Sequence, residues 1–256
     1  MKKYKGGPLP SAARSIQFVH FVDNGKETDA RSIFTLAFGE EPDNLHTYLK
    51  PFGPQEVWGS ANGLRDGLER IVTVQSSRID IFMRVVPGPE STVIENVEDE
   101  IPKIAKALQG MPSPIKGVSR LAVVVDFIQR FDSLDDTNAA IRDRLGTAFP
   151  GANQSDFLLQ LNVTKVSNVR NHTLNRLVKW TCENVQEFAF QAQPGQTMVK
   201  LDASNAVRSF YIFSQLIDVN TVPVAGVDPA DQAKLLTEMV AECTWLRTNG
   251  KLDRWA

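Results

Sequence analysis

The sequence predicts an α+β protein: two tandem strand-helix-strands-helix units form one long curved antiparallel sheet, with the helices on one face. Two observations support this fold class. A long β-like run from Gly117 to Phe131 lies near mid-chain, and the segments on either side of it follow a similar order of elements. Residue identity between the halves is negligible, so element order alone predicts the repeat. Helices gathered on one face of an antiparallel sheet are typical of α+β folds.

The first half begins with a loose arm at residues 1–13, and we assign residues 14–111 to the first unit. Residues 15–22 alternate as a strand that is apolar on both faces. Residues 30–38 suit a short buried helix that ends at Gly39, although a hairpin strand is the alternative.

The remainder of the first unit is predicted to contain loops, a hairpin and a helix. Residues 40–67 are rich in Gly, Pro, Asn and acidic residues and predict one or two short edge strands. A hairpin follows at residues 69–75 and 78–86. A helix is then expected over residues 92–109, with a kink or restart at Pro102.

The second unit, residues 112–256, opens with the central strand. Ser133 is expected to cap the next helix, and Asp228 the last, with Pro229 at its first position. Three or four strands are predicted between these helices, at residues 157–166, 174–190, 198–202 and 210–219.

Side-chain alternation in the central strand separates an apolar face from a face that carries charge. We expect the charged side chains of this strand and of the preceding hairpin to share one surface. The predicted binding residues are Arg78, Asp80, Phe82, Arg84, Arg120, Asp126 and Arg130. Arginine forks together with an acid and an aromatic ring suit recognition of a macromolecule better than proton transfer. Two alternatives are ordinary ion pairs at a sheet rim and a face covered in a homodimer.

Composition limits the compartment and the partner. A formal net charge of −2 and a pI near 6.0 argue against a protein that coats nucleic acid or an anionic membrane. We expect no signal peptide, no membrane partner and a cytoplasmic location, because no apolar segment is long enough. The two cysteines, Cys182 and Cys243, are expected to be reduced thiols.

The sequence lacks the common motifs for nucleotide and acyl chemistry, namely G-x-G-x-x-G, the P-loop and G-x-S-x-G. Its three histidines lie in separate regions, so we predict no catalytic residue, no metal and no cofactor. The predicted function is therefore a non-catalytic binding or assembly protein whose partner is another protein or a second copy. One alternative is an enzyme with a non-standard carboxylate site at Asp80 or Asp126. Another is a nucleic-acid binder that uses the basic region 165–208, with Lys165, Arg170, Arg176 and Lys179.

Two resemblances accompany this interpretation. The order of elements is similar to that of tandem TATA-binding-protein-like folds, a topological likeness that implies no DNA binding. Several short motifs also resemble a sporadically distributed, uncharacterised bacterial family of similar length, and that family implies no catalytic residue. These motifs are Val74-Gln75 with Arg78, Val118-Ser119-Arg120-Leu121 and Leu158-Leu159-Gln160-Leu161. The chain departs from the family at Val124 and Val125, where the family has an aromatic residue before a polar pair.

Overall fold

The structure is a computed structural model that describes residues 10–86, 93–111, 115–146, 157–188, 208–224 and 226–249. These residues form nine strands and four helices, which places the chain in the predicted α+β class. In chain order the elements are β1 (Ala12–Val22), α1 (Ala30–Phe38), β2 (Asn44–Phe52), β3 (Val57–Arg65), β4 (Leu68–Gln75), β5 (Arg78–Val85), α2 (Val97–Gln109), β6 (Val118–Phe131), α3 (Leu134–Leu145), β7 (Leu158–Val166), β8 (Thr173–Glu187), β9 (Arg208–Thr221) and α4 (Pro229–Asn249).

The nine strands form one antiparallel sheet in the order β2-β3-β4-β5-β1-β6-β9-β8-β7. Strand β1 lies near its centre and pairs with β5 on one side and with β6 on the other. Val19 of β1 is opposite Asp80 of β5 and Ala122 of β6. The first strand of the chain therefore joins β5 to the strand that opens the second half.

Helices α1 and α4 pack against the same side of the sheet. Phe34 of α1 lies over β3, where a Cβ added at Gly63 would be 3.2 Å from the ring. Cys243 of α4 lies 3.9 Å from the carbonyl oxygen of Val123 on β6. The buried thiol of Cys243 has a raised pKa because burial disfavours the thiolate.

The other two helices complete this layer. Arg144 of α3 donates to the side chain of Gln215 on β9 at 3.3 Å and to the carbonyl oxygen of Leu246 in α4 at 3.2 Å. Helix α2 packs between α1 and α4, and Arg247 of α4 is ion-paired with Glu98 of α2. Burial lowers the pKa of Arg144 to about 10.

The core lies between this helix layer and the sheet. One cross-strand row on the covered side consists of Ile81, Phe18, Val123 and Val219, each at most 1% exposed. Since successive side chains of a strand point to opposite faces, the next residues along these strands point away from the helices. The sheet is thus covered by helices on one side, and none of the four described helices packs on the other.

The predicted helix caps at Ser133 and Asp228 are confirmed, and α1 ends at Gly39 as expected, with a left-handed φ of 72°. Asp29, which the sequence analysis did not single out, accepts hydrogen bonds from the first turn of α1. Ser133 accepts from the backbone N–H of Asp136, and Asp228 accepts from Ala230 at the start of α4. Within the described residues, no helix combines the length and hydrophobicity needed to cross a bilayer.

Several boundaries differ from the expectation. Residues 40–67 contain two nine-residue strands, β2 and β3, rather than short strands within loops. Helix α2 begins at Val97 and continues through Pro102. Strand β8 ends at Glu187, and the strand expected at residues 198–202 lies outside the described residues.

His20 is a buried titratable group on the covered side of β1. It is 1% exposed, it pairs across the sheet with Ile79 and Leu121, and its Nδ1 has no hydrogen-bond partner among the described residues. Burial lowers the pKa of His20 to about 4 because the imidazolium loses its hydration. The unfolded chain therefore binds a proton between roughly pH 6.5 and pH 4 that the folded protein does not bind.

We expect His20→Leu to reduce the acid sensitivity of the fold. A lowered histidine pKa contributes stability that is present above the unfolded pKa and is lost as pH falls. This histidine should therefore account for a loss of about 2 kcal/mol in the free energy of unfolding between pH 7 and pH 5. Urea titrations of both proteins at the two pH values measure the difference. The exposed His46→Leu control should behave as the wild type, and an unchanged pH dependence in His20→Leu would contradict the assignment.

Candidate binding face

The side of the sheet opposite the helices, which we call the open face, carries all seven predicted binding residues. Their strand positions and contacts place them there: Arg78, Asp80, Phe82, Arg84, Arg120, Asp126 and Arg130. Strand β1 lies between the two predicted groups and adds Gln17, Val19 and Phe21 to the same face. The sequence prediction missed these three residues, although the apolar character of both faces of β1 was visible.

Phe21 lies between two arginines at one end of this face. It pairs with Arg78 of β5 and with Arg120 of β6. The Cζ atoms of the two arginines lie 5.5 Å and 4.9 Å from the centroid of the Phe21 ring. Attraction between a guanidinium and an aromatic ring orients the side chain without neutralising its charge. Phe21 therefore holds the guanidinium groups of Arg78 and Arg120 in fixed positions.

Asp80 accepts the hydrogen bonds of a compact network next to Phe21 and Arg78. Its carboxylate accepts from Gln17 at 2.7 Å, from Gln75 at 3.3 Å and from Arg78 at 2.6 Å and 2.8 Å. These donors come from three different strands, and Asp80 is 9% exposed. Burial of the carboxylate is tolerated because arginine and two amides satisfy it.

A second network occupies the β6, β8 and β9 part of the open face. Asp126, which is 7% exposed, accepts from Arg14 at 2.8 Å and from the hydroxyl of Ser214. Arg14 also donates to Glu183 at 3.1 Å. Burial alone would lower the pKa of Arg14, but Glu183 and Asp126 more than compensate and raise it. Sequence analysis missed Arg14 because it lies at the start of the strand, far along the chain from its partners.

Arg120 and Arg130 differ from the other arginines of this face. Arg84 is paired with Glu69 at 2.6 Å, and Arg78 and Arg14 are paired as described above. Across the parts of the chain that the structure describes, no carboxylate lies within 4.0 Å of Arg120 or Arg130. Each is supported by a ring instead, and the Cζ of Arg130 lies 3.5 Å from the centroid of Phe210. Both side chains are half-buried.

No protein-family model, curated protein or solved structure matches this chain. The functional assignment therefore depends on the chemistry of the open face.

The four residues of the basic alternative do not form one patch. Lys165 and Arg176 lie on the helix side, where both are ion-paired with Glu242 of α4. Lys179 pairs across the sheet with Leu216 in the row of Asp126, and so it lies on the open face. Arg170 is exposed in the turn between β7 and β8. The sequence placed these cations close together along the chain, but strand alternation separates them.

The two carboxylates of the enzyme alternative are also separate. Asp80 is opposite Val19 and Asp126 is opposite Ser15, four residues apart along β1, which is about 13 Å. Each is already hydrogen-bonded to an arginine.

Two cavities in the described part of the protein lie elsewhere. One of about 930 Å³ adjoins α1 and Lys116, and one of about 260 Å³ adjoins Asn62. Neither is lined by Asp80 or Asp126.

No group of three or more described His, Cys, Asp or Glu residues is arranged to hold a metal ion. Near β2, Glu40 is paired with Arg70, and the His46 and Tyr48 rings stack with their centroids 6.5 Å apart, so both side chains have other contacts.

We expect Glu242→Gln to destabilise the fold, because the half-buried Arg176 would lose its ion pair with Glu242 and Lys165 would keep only the longer contact with Glu238 at 3.9 Å. The expected loss in the free energy of unfolding is about 2 kcal/mol. Glu41→Gln is the matched control, since its ion pair with Arg31 is exposed on both sides and should contribute less than about 0.5 kcal/mol. Urea denaturation of the two variants measures both values. If both variants lost equally little stability, the ion pairs of Lys165 and Arg176 with Glu242 would not stabilise the fold.

Proposed function

We propose that this protein is a non-catalytic binding or assembly protein that recognises a protein partner through the open face. One observation carries the proposal: helices cover one side of the nine-stranded sheet, while the other side presents an ordered array of arginines and aromatic rings. Arginine and aromatic side chains on a rigid support are the groups that contribute most to protein recognition. A sheet holds such groups in fixed positions, so binding costs little side-chain ordering.

The chemistry of the face favours binding over catalysis. A general acid or base needs a carboxylate or imidazole that can exchange a proton with a substrate. Asp80 and Asp126 instead accept hydrogen bonds from arginines and neighbouring polar side chains, which favours their charged form. Among the histidines, His20 is buried on the opposite side of the sheet, and His46 lies in the cross-strand row of Asp80 but three strands away, on β2.

We further propose that residues 14–111 and 112–256 are tandem units with a TATA-binding-protein-like order. Each half runs strand, helix, strands, helix. The strand order supports this proposal. Strands β1 and β6 pair at the centre, the last strand of each half lies next to its first, and the earlier ones lie progressively farther out. A cytoplasmic location is part of the same proposal, and the buried, reduced cysteines Cys182 and Cys243 are consistent with a reducing compartment.

Site-specific photocross-linking tests the binding face. A photoreactive residue at Val124 or Leu177 on the open face should cross-link a discrete polypeptide in the native host. The same residue at Lys106, an exposed position on α2, should not. A product of twice the 28.4 kDa chain mass would identify the partner as a second copy.

Two results would contradict the proposal. A product that nuclease treatment removes would make the partner a nucleic acid. Equal cross-linking from Lys106 and from the two open-face positions would remove any preference for this side of the sheet. Thermal melting of each variant checks that the substituted proteins remain folded.

A further inference from the structure

We infer that the open face binds an acidic segment of its partner, and that Arg120 supplies the principal contact. This inference rests on the proposed function and specifies the chemistry of the partner. It follows from which charges on the face are already paired and which are not.

Internal pairing uses most of the charge on the open face. Arg78 is paired with Asp80, Arg84 with Glu69, and Arg14 with both Asp126 and Glu183. These pairs account for the carboxylates closest to the centre of the sheet. They leave the face with little attraction for a basic partner, because its carboxylates already have cations.

In strands β1, β5, β6, β8 and β9, four cations of the open face have no ion pair within the described residues: Arg120, Arg130, Lys179 and Arg208. Two carboxylates of these strands, those of Asp218 and Glu187, are also without an ion pair, and Asp218 accepts a hydrogen bond from Asn220 at 2.8 Å. The unpaired charge of the face is therefore positive, although the whole chain has a net charge of −2. The face is complementary to negative charge on a partner.

Arg120 is the best placed of the four cations. Its Nε is buried without a hydrogen-bond partner. Its two terminal nitrogens are not buried in this way, and they make no hydrogen bond to any residue that the structure describes. Phe21 holds the guanidinium from one side, with the Cζ atom 4.9 Å from the ring centroid. A planar guanidinium held in this way presents a fork that matches a carboxylate.

Arg130 extends the contact along the same strand. It lies ten residues from Arg120 on β6, about 33 Å away, and Phe210 supports its guanidinium. An extended segment of roughly ten residues could reach both arginines.

A nucleic acid fits this arrangement less well. Binding to a phosphate backbone uses a continuous row of cations, whereas here the free cations are few and carboxylates lie between them. An acidic protein segment with separated carboxylates matches the spacing better.

Fluorescence anisotropy with a labelled twelve-residue peptide of alternating Glu and Ser tests the inference. The probes for comparison are the corresponding Lys-Ser peptide and a twelve-nucleotide single strand of DNA. The wild-type protein should bind the acidic peptide and not the basic one, and added salt should weaken the binding. Arg120→Gln should weaken it about tenfold, the effect of one charge-assisted hydrogen bond.

Two further variants make the test specific. Arg120→Lys keeps the charge without the fork and should lose part of the affinity. Arg170→Gln removes an exposed arginine in the β7–β8 turn and should change the affinity less than twofold. Melting temperatures close to that of the wild type would show that the variants are folded.

The inference is overturned if the acidic peptide does not bind, if Arg120→Gln binds it like the wild type, or if DNA binds more tightly than the peptide. Failure of the inference is distinguishable from failure of the proposed function. An open-face cross-link to a polypeptide that persists in Arg120→Gln would retain the binding face and reject the acidic segment.

Discussion

The pairing of β1 with β6 is the interaction on which the rest of the structure depends. It connects β5 and the strands that precede it to β9, β8 and β7, and so it makes one sheet from two parts of the chain. The pair Phe18 and Val123 is buried on the helix side, and the pair Val19 and Ala122 is buried on the open face. Because a shift of one residue would exchange the two faces of a strand, this register decides which side chains meet the helices. The positions of Arg120 and Asp126 relative to β5 follow from it.

The two sides of the sheet are stabilised differently. On the helix side, large apolar side chains pack in layers, and polar contacts such as Arg247 with Glu98 and Gln109 with Thr237 join α4 to α2. On the open face, the order comes from hydrogen bonds and ion pairs between neighbouring strands, as at Asp80 and Asp126. Such half-buried networks need every member satisfied, because an unpaired buried carboxylate would be costly. The face is thus ordered by its own polar contacts.

The sequence predicted those features that depend on local patterns. Alternation within β5 and β6 put the seven predicted binding residues on one face, and the predicted caps at Ser133 and Asp228 located two helices. The length of strands β2 and β3 was underestimated. The edge strand β2 is exposed and lacks the apolar alternation that marks a buried strand, and the buried positions of β3 are the small residues Gly59, Ala61 and Gly63.

Features that depend on contacts between distant segments could not be predicted in this way. The insertion of β1 between β5 and β6 is a long-range pairing, and the network of Arg14 joins residues more than a hundred positions apart. The basic residues show a different kind of error. Arg176 and Lys179 are three positions apart on one strand, so alternation alone already places them on opposite faces.

The support that each arginine receives on the open face decides what it can do. A carboxylate orients an arginine and also neutralises it, so Arg78, Arg84 and Arg14 contribute mainly to the order of the sheet. An aromatic ring orients an arginine while leaving its charge and most of its donors available. Arg120 on Phe21 and Arg130 on Phe210 are of this second kind. A half-buried cation without a counter-charge is a stability cost that a bound carboxylate removes, and this difference in free energy is what an acidic partner would gain.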